Sequence, residues 1–110
     1  MAVRDRFYEI TRDWPEDFSV LPENMRGILL NLYQQAAMKF AASEKYNMKA
    51  KYEKFIMSFE ILKKSIGDQN IYENTVHEVV SGIRQRFPKR VELTGMLESY
   101  IARQFLPGNN

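Results

Sequence analysis

Apolar residues recur along most of this chain at the three- and four-residue spacing of an α-helix, and four separate stripes can be followed. The longest is Met25, Ile28, Leu29, Leu32, Tyr33, Ala36, Ala37, Phe40 and Ala41. It opens at Pro22-Glu23, where a missing N–H and an acidic side chain both suit a first helical turn. Gly27 lies off that stripe. The second is Met48, Tyr52, Phe55, Phe59, Leu62 and Ile66, alternating steps of four and three in a heptad rhythm. Gly67 follows in the position that ends a helix, with Lys63 and Lys64 complementing the dipole of its last turn. Asp68 or Asn70 caps the third helix, and Asn70 with Glu73 has capping-box spacing. Its stripe is Tyr72, Val76, Val79, Val80, Ile83 and Phe87, with Arg84 and Arg86 in the last turn and Pro88 as terminator. The fourth helix runs from about Lys89 to Phe105 over Leu93, Leu97, Tyr100 and Ile101.

Ahead of these stripes, the spacing predicts a short helix over residues 3–12, with Val3, Phe7 and Ile10 on one side. Asp13 to Ser19 reads as a structured turn in which Pro15 and the two acids after it open a short helix. Residues 106–110 read as a breaker-rich tail, expected to be mobile. No proline or glycine separates the first two stripes. A single helix over 22–66 would be roughly 67 Å long, whereas a compact chain of this length has a radius of gyration of about 13 Å. A break therefore falls near Asn47. The expected fold is all-α: an antiparallel bundle of four main helices, with an extra short N-terminal helical segment (1–21) packing on it.

Composition agrees with one globular domain over 1–110: the chain is 45% hydrophobic and 27% charged. Zero cysteines exclude disulfides, thiolate metal sites and cysteine nucleophiles. The charged N-terminus does not read as a signal peptide, and no stretch approaches the ~20 apolar residues of a membrane span. The expectation is a cytoplasmic protein with no membrane partner.

The net charge is only +2, but it is unevenly spread. Residues 1–21 carry three basic and five acidic side chains, whereas residues 48–67 carry five lysines against Glu53 and Glu60. Lys49 and Lys51 stand near a helix start, where the dipole disfavours them, and Lys89 and Arg90 repeat the pattern beside Arg84 and Arg86. With Lys54, these make a basic patch of Lys49, Lys51, Lys54, Arg84, Arg86, Lys89 and Arg90.

Catalytic chemistry is hard to assemble from these residues. His77 is the lone histidine, four residues from Glu73, with no visible third partner. Asp13, Glu16 and Asp17 are explained by helix-start electrostatics. There is no phosphate-binding glycine loop, no paired histidines on a helix and no nucleophile elbow. The expectation is a non-enzyme with no cofactor and no metal.

Fourteen aromatics and six methionines exceed what one narrow stripe per helix requires. Such side chains are over-used at adaptable interfaces. The leading expectation is therefore a protein-binding domain (adaptor, chaperone or small subunit of a larger assembly) using Trp14, Phe18, Tyr46, Met57 and Tyr100, helped by the lysines of the second helix. The partner is another protein or a second copy. The alternative is a nucleic-acid-binding subunit contacting phosphates through the basic patch, with Tyr46 and Tyr52 as stacking residues. Leu30-Asn31-Leu32-Tyr33 followed by Met38-Lys39-Phe40 resembles the leucine-tyrosine and basic-aromatic pairs of the flagellin-export chaperone family. The spacing here is displaced by one and the small residue after the tyrosine is missing. That resemblance implies a small helical chaperone and assigns no site residue.

Overall fold

The computed structural model describes residues 14–43 and 49–105. The expected helix over 3–12, Tyr46, Asn47, Met48 and the tail 106–110 lie outside the described residues. A 3-10 turn, Phe18–Val20, precedes four helices: α1 Glu23–Ala42, α2 Lys49–Ile66, α3 Gln69–Arg86 and α4 Val91–Phe105. The described residues contain no strand, so the all-α expectation holds.

Local chemistry accounts for the boundaries. Pro22 sits one residue earlier than expected, as the N-cap of α1, with its carbonyl accepting from Arg26 N–H at 3.0 Å. α1 ends at Ala42, where Ser43 turns extended, so the first two stripes are separate helices. Gly67 carries φ 73°, a left-handed conformation that side chains disfavour, and its N–H bonds the Lys63 carbonyl at 3.3 Å. Asp68 is then the N-cap of α3, accepting from Ile71 N–H at 3.2 Å. The Asn70–Glu73 box does not form; Glu73 instead accepts from the Gln69 amide at 2.7 Å. α3 stops at Arg86, just ahead of Pro88. The turn expected from Pro15 starts at Phe18 instead. Asp17 caps it because its carboxylate accepts from both the backbone and the hydroxyl of Ser19, at 3.0 and 2.6 Å. Those bonds hold the Asp17 carboxyl below its ordinary value, the hydroxyl contributing most.

Consecutive helices alternate in direction, and α3 touches each of the other three. α1 and α3 consequently run parallel. Gln34 bonds Glu78 at 2.7 Å and Met38 lies over Gly82, both pairs 44 residues apart. A Cβ added at Gly82 would lie 2.8 Å from the Met38 methyl, so the absence of a side chain there sets how closely α1 and α3 approach. α2 packs on α3, α4 and the 3-10 turn. The radius of gyration is 13.8 Å.

The core is aromatic. Phe40, Phe55, Phe59 and Tyr100 form a chain of rings with successive centroids 4.9, 5.5 and 5.2 Å apart. A second group joins Trp14 to Phe18, stacked at 5.8 Å, and to Tyr33, edge-on at 6.1 Å. Two expectations are corrected here. Trp14, Phe18 and Tyr100 are not surface residues; they are 7%, 2% and 3% exposed. Non-local packing explains this: Trp14 stacks on Phe18, meets Tyr33 and bonds Ser65 at the end of α2, and Tyr100 packs among Phe59, Tyr72 and Phe105. Conversely, Met25, Ile28 and Leu32 of the longest stripe are exposed. α1 turns Gly27, Leu30, Gln34 and Met38 toward α3, which rotates the start of the stripe outward.

Candidate functional site

The exposed apolar residues converge because of how α1 meets α2. Tyr33 and Ser58 join the two helices through their hydroxyls at 2.7 Å. Ser58 donates to the Phe55 carbonyl, so Tyr33 is the donor to Ser58. Burial pushes the Tyr33 hydroxyl far above the ordinary tyrosine range, which keeps that donor protonated. Leu32 and Met57 each stand one residue before this pair. One residue back is a turn of about 100° around the helix. On two antiparallel neighbours those turns carry both side chains to the same side of the pair. Gln34, one residue forward, meets α3, so Leu32 and Met57 face away from α3.

Helical spacing adds Met25 and Ile28 to Leu32, and Ile61 to Met57. All five are exposed, Met57 most of all at 66%. Lys39 on α1 and Glu53, Lys54 and Lys64 on α2 are exposed at similar rotations and border this face, with lysines in excess. Ile61 also lines an adjoining cleft of about 1040 Å³, with Trp14, Pro15, Lys64, Gly67 and Asp68. One wall of that cleft is fixed by a relay: Trp14 donates its indole N–H to Ser65 Oγ at 2.9 Å, and Ser65 donates to the Pro15 carbonyl at 2.7 Å.

Of the aromatic and methionine residues singled out from the sequence, Met57 is exposed on this face, Trp14 is buried in the wall of the cleft, and Phe18 and Tyr100 are interior. Tyr100 donates to Glu60 at 2.6 Å and bonds the Tyr72 hydroxyl. The stripe pattern missed Met25, Ile28, Leu32 and Ile61. The available signal was its width, since nine apolar positions on α1 cover more arc than one packed face.

The basic residues are brought to one end of the bundle. Alternating helix directions place the end of α1, the start of α2, the end of α3 and the start of α4 together. Arg84 and Arg90 have structural roles. Arg84 pairs with Glu98 at 2.7 Å in solvent. The Arg90 guanidinium, half-buried, donates to the Ser43 carbonyl at 2.9 Å and ties the start of α4 to the end of α1. Lys49, Arg86 and Lys89 are exposed. His77 is exposed, with its ring 5.2 Å from that of Phe105.

Comparison with protein-family models, with curated proteins and with solved structures finds no match to this chain. Among the described residues, no helix is long and apolar enough to cross a membrane.

Proposed function

We propose that this chain is a non-enzymatic protein-binding domain, an adaptor, chaperone or small subunit of a larger assembly, that docks a helix of another protein on the outer face of α1 and α2. The observation that carries this reading is the exposure of Met25, Ile28, Leu32, Met57 and Ile61 on one side of a single helix pair. Methionines are over-used where a surface accommodates a helix.

Lys39, Lys54 and Lys64 at the border of the face select a partner helix whose apolar stripe is flanked by acidic residues.

The test is affinity capture from native cells with the wild-type chain and with the double variant Leu32→Asp/Met57→Asp, alongside circular dichroism of both. Both substitutions are at exposed positions, so the helical spectrum is expected to persist. A protein retained by the wild type and lost by the variant is the expected result. An identical set of captured proteins from the two would overturn the reading.

A further inference from the structure

We infer that the basic end of the bundle is a second binding site, independent of the α1–α2 face, and that its ligand is the phosphate backbone of nucleic acid. Three separate stretches of sequence deliver positive charge to this end: Lys49 and Lys51 at the start of α2, Arg86 at the end of α3, and Lys89 in the loop before α4. The Arg90–Ser43 bond holds the helix ends that frame them together. Among the described residues, the acids nearby are Glu53 and Glu92; Glu98 lies further along α4 and is engaged by Arg84.

The opposite end mixes Glu16, Asp17, Glu23, Asp68 and Glu73 with Arg26, Lys63, Lys64 and Arg103, so its charges nearly balance and the positive excess lies at the basic end, although the whole chain is only +2. Helix stability accounts for Arg86, in the last turn of α3, but not for the two lysines of α2. Lys49 and Lys51 sit at the positive end of a helix dipole, which opposes them. That same positive end attracts an anion.

The chemistry of this end favours phosphate over the other anionic surfaces. A protein interface needs an apolar centre and is depleted in lysine. Val91 is the one large apolar side chain strongly exposed at this end among the described residues. A lipid surface would call for several apolar anchors beside the basic groups. A phosphate backbone requires only cations spaced along a surface, and binding to it is dominated by that term.

The experiment is fluorescence polarisation with a labelled 20-nucleotide single strand and with the corresponding duplex, titrated from about 50 to 200 mM salt. The wild type is expected to bind, with log affinity falling linearly against log salt. The slope is about 0.9 per phosphate neutralised on duplex and about 0.7 on single strands. Lys49→Ala/Arg86→Ala/Lys89→Ala, which alters only exposed side chains, is expected to lose at least tenfold in affinity and to flatten the slope by about one per charge removed. Leu32→Asp/Met57→Asp is expected to bind as the wild type does, which separates this site from the protein-docking face. Three results would overturn the inference: no polarisation change at the lowest salt with either oligonucleotide, an unchanged affinity in the triple variant, or equal competition by a polyglutamate peptide of matched charge.

Discussion

Trp14 and Ser65, 51 positions apart in the chain, are joined by an indole N–H to hydroxyl bond of 2.9 Å that fastens the N-terminal segment across the end of α2. Ser65 donates its own O–H to the Pro15 carbonyl, so one buried hydroxyl satisfies two groups of that segment. Trp14→Phe keeps most of the apolar burial and removes the indole donor. It is expected to destabilise the fold by about 1 kcal/mol, whereas Trp14→Ala opens a cavity and costs about 3–5 kcal/mol. Urea unfolding followed by circular dichroism separates the two. Trp14 is the only tryptophan, so wild-type emission is expected to shift to longer wavelength in the same transition.

Burial separates two neighbouring positions on α2 that look equally apolar in sequence. Phe59 is fully buried, with its ring 5.5 Å from Phe55 and 5.2 Å from Tyr100. Phe59→Ala is expected to lower stability by about 3–5 kcal/mol. Met57→Ala removes a largely solvated side chain and is expected to change stability by no more than about 0.5 kcal/mol. Comparable losses in the two variants, read from urea midpoints, would contradict the assignment of Met57 to an open face.

Three buried tyrosines make the fold sensitive to alkali. Burial, the largest cause at each, raises the hydroxyls of Tyr33, Tyr72 and Tyr100 above their ordinary value of 10.0; the hydrogen bond to Glu60 raises Tyr100 further. Above pH 10 the folded chain therefore holds protons that the unfolded chain has released. Stability is complete below that pH and falls as pH rises through it. Each tyrosine adds a slope of up to about 1.4 kcal/mol per pH unit. Tyr33→Phe removes one of the three, and its melting temperature is expected to fall less steeply than that of the wild type above pH 10. An unchanged steepness would mean that Tyr33 ionises without loss of the fold.

Glycine replacements are expected to differ in sign. Gly27 and Gly95 lie inside helices with nothing within 4 Å of an added Cβ, so alanine at either is expected to stabilise by about 0.5–1 kcal/mol. Gly67 also has open space, but its φ of 73° penalises any side chain, so Gly67→Ala is expected to destabilise by about 1 kcal/mol. Thermal melts of the three single variants check the order.

The helices and their ends were written locally. Asp68 has an oxygen within reach of a backbone N–H three residues on, Gly67 tolerates a left-handed turn and Pro88 cannot continue a helix; each acts over a few residues, so each is visible in the sequence. Whether the basic clusters gather was not legible in the sequence; their meeting at one end follows only once consecutive helices alternate in direction.

The surface could not be read in the same way. A stripe records that Leu32 and Tyr33 are both apolar, yet they lie 100° apart on the helix, and which of them turns inward depends on where α3 sits. That position is set by the contact of Met38 with Gly82 and by the Gln34–Glu78 bond, each linking residues 44 apart. The same non-local packing buried Trp14, Phe18 and Tyr100 and left Met25, Ile28 and Leu32 in solvent. Sequence by itself determined four amphipathic helices, their caps and an excess of large apolar side chains. Only the tertiary structure decided which of those side chains remain on the surface, because burial is a property of a helix's neighbours and not of its own periodicity.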